Sequence, residues 1–113
     1  MANKVIPTPY FETKYKRFSK KFPSLDNELQ ELENELINNP EVGESLGSNL
    51  YKIRLASKDK GRGKSGGFRV ITYLVHELEN STEIFLITIY DKSEESSIST
   101  LILNKLVKSI FED

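Results

Sequence analysis

The chain has 113 residues with no cysteine and one histidine. These counts exclude disulfide frameworks, thiol catalysis, and zinc sites built from thiolates or several imidazoles. No apolar run approaches the ~20 residues of a membrane span, and the N-terminus lacks a signal-peptide pattern. We therefore expect residues 1–113 to form a single domain of a cytoplasmic protein without a membrane partner.

The net charge of −1 conceals a segregated arrangement of charge. Residues 24–50 contain seven acidic residues and no basic one, whereas residues 51–69 contain seven basic residues and one acidic residue. A basic patch on an otherwise balanced domain indicates a polyanionic partner such as nucleic acid.

The first third of the chain predicts a short strand and a helical hairpin. Residues 4–6 are typical of a strand, and a helix is predicted from Pro9, with Thr8 as its N-cap, to the residue before Pro23. A second helix is predicted from the N-cap Ser24 to the Asn-Asn pair before Pro40. Residues at helical spacing define the two apolar stripes: Phe11, Tyr15, Phe18 and Phe22 in the first helix, and Leu25, Leu29, Leu32 and Leu36 in the second.

After a Gly-, Ser- and acid-rich segment over 41–49, predicted to be a loop, the apolar period changes to two. Residues 51–56 and 68–75 predict paired strands, and the nearly continuous apolar run 84–90 predicts a strand buried on both faces. A last helix is predicted from about Ser99 through Ile110. The order β-α-α-β-β-β-α indicates an α+β fold, in which a small antiparallel sheet of about four strands packs against the N-terminal helical hairpin, with a C-terminal helix.

Strand parity predicts a cationic surface on the basic hairpin. If Ile53 and Leu55 are buried, then Lys52, Arg54 and Arg69 lie together on the opposite face. A pairing of Arg54 with Arg69 would place like charges side by side, which destabilises a sheet unless an anion is bound. The alternative is a solvated polar face that is balanced by the acidic helix or by Glu77 and Glu79.

The segment Gly61-Arg-Gly-Lys-Ser-Gly-Gly67 contains Gly-Lys-Ser but is not a P-loop. The glycine that a P-loop requires five residues before Gly63 is replaced by Lys58, and a strand follows instead of a helix. We interpret the segment as a cationic tip that binds RNA through Lys58, Lys60, Arg62 and Lys64. Tyr73 shares the parity of Arg69 and is predicted to stack on a base, to donate a proton, or to pack in the core.

Three stretches together resemble the RelE/ParE toxin superfamily, most closely its RelE/HigB branch of mRNA interferases. They are Tyr51-Lys-Ile-Arg-Leu-Ala, Gly-Lys-Ser-Gly-Gly-Phe-Arg-Val-Ile-Thr-Tyr73, and Leu86-Ile-Thr-Ile-Tyr-Asp-Lys-Ser93. The resemblance covers nearly the whole chain. It implies a toxin that cleaves mRNA on the ribosome, inhibits translation, and is neutralised by a cognate antitoxin.

The resemblance also implies a catalytic set without metal or cofactor. Lys52 and Arg54 match the family's basic pair before the loop, Arg69 matches the arginine after it, and Lys92 matches the basic residue after the last core strand. Lys52 is the candidate base, the arginines are candidate phosphate ligands, and Lys92 or Tyr73 is the candidate proton donor. The family's best-known member has a tyrosine near the start of its C-terminal segment, where this chain has Ile98.

Two other functions fit the same fold. One is a ParE-like toxin that inhibits gyrase by protein binding, although such proteins tend to lack the full cationic set. The other is a catalytically inactive RNA- or protein-binding member, which the acidic pI of 5.9 and the absence of that tyrosine leave open.

Overall fold

The computed structural model describes residues 3–60, 67–77, 80–95 and 97–112. It consists of five strands and three helices in these residues: β1 Lys4–Pro7, α1 Pro9–Lys21, α2 Leu25–Asn38, β2 Glu44–Gly47, β3 Leu50–Leu55, β4 Phe68–His76, β5 Thr82–Asp91 and α3 Thr100–Phe111. A short 3-10 turn over Lys58–Lys60 follows β3. No helix in this described part of the chain is long and apolar enough to cross a membrane.

The predicted α+β class is confirmed, and the sheet is larger than the sequence indicated. Its strand order is β1-β5-β4-β3-β2, and β1 pairs with β5 in parallel while the other pairs are antiparallel. The additional strand is β2, which lies in the segment predicted to be a loop. It joins β3 through a two-residue loop, Ser48-Asn49, in which both residues have positive φ. That geometry usually requires Asn-Gly or Asp-Gly, so the sequence carried only a weak hairpin signal.

The sheet has a core on each face. The α1–α2 hairpin covers one face, where the predicted stripe residues pack on Ile53, Leu55, Phe68 and Val70. The opposite face packs against α3 through Leu50, Ile71, Ile87, Tyr90, Leu103 and Val107. Because both faces are covered, β5 is buried almost throughout, as its apolar run predicted.

The helix caps differ in how they use their side chains. Thr8 and Ser99 accept hydrogen bonds from the N–H groups of Phe11 and Ile102, as N-caps do. Ser24 precedes α2, but its hydroxyl makes no cap bond. It instead accepts a hydrogen bond from the N–H of Asp59 and donates one to Glu28. The start of α2 is therefore tied to the 3-10 turn after β3.

Candidate functional site

Lys52, Arg54 and Arg69 lie on the face of the sheet that packs against α3, and we call these three residues the cationic face. The β3–β4 register pairs Arg54 with Arg69 and Ile53 with Val70. Ile53 and Val70 lie in the core under the helical hairpin, so their neighbours in each strand point the other way. The predicted pairing of the two arginines is confirmed.

The two arginines differ in exposure. Arg54 is exposed, whereas Arg69 is only 4% exposed and donates a hydrogen bond from Nη1 to the carbonyl of Phe68 at 3.2 Å. Arg69 is therefore held by the sheet, and Arg54 is accessible to a ligand. A fixed guanidinium beside an accessible one is an arrangement that suits a phosphate group.

Tyr90 lies opposite Arg69 on β5, so that Arg54, Arg69 and Tyr90 form one row across three strands. Burial raises the pKa of Tyr90; the charge of Arg69 acts to lower this pKa and Glu95 acts to raise it. A register shift opposite Ile71 and Thr72 places Tyr90 on this face, because it changes the parity of β5. The sequence of β5 gave no indication of this shift, because its apolar residues do not alternate with polar ones.

Glu44 is a site residue that the sequence did not reveal. It pairs with Lys52 in the β2–β3 ladder, and its Oε1 lies 3.8 Å from Lys52 Nζ. The preceding Gly43 has a φ of +104°, and a Cβ there would lie 2.5 Å from the carbonyl oxygen of Lys52. Only glycine allows this close approach. The cationic face therefore has a carboxylate at its edge.

A shallow cavity of about 380 Å³ opens beside this carboxylate. It is lined by Val42, Gly43, Glu44, Lys52, Ile53 and Arg54. A second groove, of about 240 Å³, also includes Arg54 and runs along the acidic residues Glu28, Glu31 and Glu35 of α2. Arg54 thus lines both openings, one beside Lys52 and one beside the acidic helix.

Lys92 lies just beyond the end of β5, near the same end of the sheet. It is exposed, and its N–H donates a hydrogen bond to the carbonyl of Gly67 at 3.2 Å. Gly67 is two residues before Arg69, and a Cβ at Gly67 would lie 2.3 Å from the carbonyl oxygen of Leu55. The backbone of Lys92 is therefore close to the β4 segment that carries Arg69.

The residues predicted to bind RNA are in different environments. Lys58 is exposed, and its N–H bonds to Glu28 Oε2 at 2.6 Å. Lys60 is not on the exposed surface with Lys58. Its ammonium lies 2.6 Å from the Asp91 carboxylate, under the helical hairpin. Arg62 and Lys64 lie outside the described residues.

Tyr73 shares the parity of Arg69, as predicted, but lies among the residues that pack against α3. Its ring is 5.5 Å from that of Phe111, centroid to centroid. Ile98, where the family's best-known member has a tyrosine, packs against the same cluster. Both residues contribute to the core on the α3 side. Across the described residues, no group of three or more His, Cys, Asp or Glu side chains is placed to hold a metal ion.

Comparison with known proteins identifies the family and the fold. Residues 9–109 match the family model described as the RelE toxin of the RelE/RelB toxin–antitoxin system. The chain belongs to the RelE toxin family. Its fold is also similar to the structure of a mutant of the E. coli toxin RelE in the free state, with a TM-score of 0.59 and 18% identity. That match covers 98% of this chain and 100% of the RelE chain. The region that matches the RelE family model includes all three residues of the cationic face.

Proposed function

We propose that this protein is the toxin of a type II toxin–antitoxin system, of the RelE/HigB type, that cleaves mRNA on the ribosome and so inhibits translation. The observation that carries the proposal is the Arg54–Arg69 pair with Lys52 beside it on the same face. Like charges on directly opposite residues of two strands are destabilising, and an anion bound near both reduces this cost. A phosphodiester would relieve this repulsion, and RNA supplies one at every nucleotide.

Cleavage would proceed by attack of the ribose 2′-hydroxyl on the adjacent phosphorus. The 2′-oxygen bonds to phosphorus, the bond from phosphorus to the 5′-oxygen breaks, and a 2′,3′-cyclic phosphate and a 5′-hydroxyl result. Negative charge increases on the non-bridging oxygens as this occurs. Arg54, which is exposed, is assigned to bind those oxygens, because donors placed where charge develops lower the barrier most. Arg69, which is buried, is assigned to stabilise the same charge as a fixed positive group beside Arg54.

The reaction needs a proton acceptor at the 2′-oxygen and a proton donor at the 5′-oxygen. Lys52 is the acceptor that the family resemblance implies, and Glu44 is a carboxylate within 3.8 Å of its ammonium. The two assignments differ in the expected effect of Glu44→Gln on kcat, because this substitution removes the carboxylate and leaves the Lys52 amine in place. Lys92 is assigned as the donor, since Tyr73 packs against Phe111.

A cognate antitoxin is the partner that this function requires, together with the ribosome, mRNA and a cytoplasmic location. The matched family model is that of a toxin paired with an antitoxin. Lys58, which is exposed beside the acidic helix, is assigned to contact RNA outside the reacting nucleotide.

The proposal is tested in a translation extract with a defined mRNA, in which cleavage positions are mapped by primer extension. The wild-type protein is expected to cut ribosome-bound mRNA, and Arg54→Ala is expected to reduce the rate by about 10²–10³. Lys16→Ala is the matched control, because Lys16 is an exposed cation on α1, on the opposite side of the sheet.

Cleavage of naked mRNA at the same rate would contradict ribosome dependence. Gyrase-dependent DNA breaks without RNA cleavage would identify the ParE-like function, and salt-sensitive RNA binding without cleavage would identify an inactive member.

A further inference from the structure

A buried ion pair lies directly beneath the segment that carries Lys92. Lys60 Nζ is 2.6 Å from Asp91 Oδ2, and the two side chains are 11% and 7% exposed. The ammonium also lies 5.0 Å and 5.4 Å from the ring centroids of Phe22 and Phe68. The pair is thus enclosed by the helical hairpin and the start of β4.

Asp91 also organises the turn that follows it. Its Oδ1 accepts hydrogen bonds from the N–H and the hydroxyl of Ser93, both at 2.8 Å. Its carbonyl accepts the N–H groups of Glu94 and Glu95. Burial acts to raise the pKa of Asp91, but the hydrogen bonds from Lys60 and Ser93 outweigh it, so this pKa is lower than usual. Asp91 therefore accepts four hydrogen bonds from the turn that follows it.

The partner of that carboxylate belongs to a different part of the chain. Lys60 ends the 3-10 turn after β3, and this turn is itself bonded to Ser24 and Glu28 of the α2 start. The ion pair consequently ties the Lys92 turn to β3 and to α2, on the side opposite to the cationic face. Loss of either partner alone would leave an uncompensated buried charge, so the pair keeps these segments together.

We propose that the Lys60–Asp91 pair is a positioning device that holds Lys92 in place relative to Arg69. This inference rests on the proposed function, in which Lys92 acts at the RNA. Lys60 and Asp91 are positioning residues, since both lie on the helical-hairpin side and act through the turn. The role differs from the RNA contact that the sequence suggested for Lys60.

The test replaces the pair by apolar side chains of similar size, in a Lys60→Met/Asp91→Leu double variant. Such replacements of buried ion pairs are often neutral or stabilising, and this one leaves the net charge at −1. A loss of cleavage activity would therefore result from a change in the position of Lys92, and not from a change in protein stability or net charge. The matched control is Arg17→Gln/Glu94→Gln, which removes the exposed ion pair at 3.3 Å between α1 and the same turn and also leaves the net charge unchanged.

Two measurements are made on each protein: kcat for cleavage in the translation extract, and hydrogen exchange at the Lys92 amide relative to the buried Ile89 amide. For the double variant we expect a kcat lower by about 10–10², with KM little changed. We also expect exchange at Lys92 to be faster by about ten-fold while Ile89 keeps its protection. The control variant should match the wild type in both.

A folded double variant that retains either wild-type kcat or wild-type Lys92 protection would overturn the proposal. If the wild type cleaves no RNA, the proposed function fails, and the exchange measurement still decides whether the pair holds Lys92. If the double variant does not fold, Lys60→Met/Asp91→Asn takes its place, because an amide at this position removes the charge pair but keeps an oxygen acceptor for Ser93. Unchanged Lys92 exchange in that variant would then overturn the proposal.

Discussion

Arg54 and Arg69 are directly opposite each other on two antiparallel strands, one guanidinium exposed and the other buried. Cross-strand pairs of like charge are destabilising. Repulsion between the two side chains therefore opposes folding, and a phosphate bound as proposed would reduce it. This opposition between stability and binding is the proposed physical basis of the site.

Substitution of Arg54 should change protein stability and RNA binding in opposite directions. Arg54→Thr places a residue of high strand propensity at an exposed strand position and removes the repulsion. We expect a Tm equal to or above that of the wild type, together with weaker RNA binding and the loss of cleavage. Thermal unfolding and RNA titration of the same sample measure both quantities. A variant with lower Tm and undiminished RNA binding would show that Arg54 is structural.

Removal of the Glu44 carboxylate should strengthen RNA binding. In the free protein this group lies 3.8 Å from Lys52 Nζ, where it competes with a phosphate for the ammonium. We expect Glu44→Gln to bind a single-stranded RNA more tightly, with a salt slope steeper by up to about 0.7. Glu41→Gln, another exposed acid on the same connection, should leave the slope unchanged.

The cleavage rate of Glu44→Gln identifies the proton acceptor. If kcat falls by about 10²–10⁴ while binding strengthens, the carboxylate takes the proton from the 2′-hydroxyl. If kcat is retained, Lys52 remains the candidate.

Tyr73 should tolerate the loss of its hydroxyl. Its ring packs against that of Phe111, so Tyr73→Phe is expected to keep both the Tm and kcat. Tyr73→Ala should lower the Tm, and Phe111→Ala should lower it in a similar way because each removes one side of the same contact. A loss of cleavage in Tyr73→Phe at unchanged Tm would restore the proton-donor interpretation.

The Lys60–Asp91 pair should contribute to acid denaturation. Because the folded-state pKa of Asp91 is lower than the unfolded value, its contribution to stability is fully present above about pH 4 and is lost as pH falls through the folded pKa. We expect the free energy of unfolding, measured with urea, to fall between pH 5 and 3 less steeply in Lys60→Met/Asp91→Leu than in the wild type. Equal slopes in the two proteins would mean that Asp91 is not stabilised as an anion in the fold.

The sequence by itself determined the helices, the strands other than β2, and the residues of the cationic face. Helical spacing of aromatic and leucine residues defined the hairpin, and the period of two in β3 and β4 assigned Lys52, Arg54 and Arg69 to one side. These features depend on the repeat of a single helix or strand, and that repeat is readable from the order of residues.

Only the tertiary structure decided which distant groups meet that face. Glu44 reaches Lys52 because a Ser48-Asn49 turn folds β2 back on β3, and Tyr90 faces Arg69 because a register shift changes the parity of β5. Lys60 is not placed to contact RNA, because its ammonium lies 2.6 Å from the Asp91 carboxylate and both side chains are largely buried. Each of these contacts depends on pairing between segments, and local periodicity carries no information about which partner a segment will have.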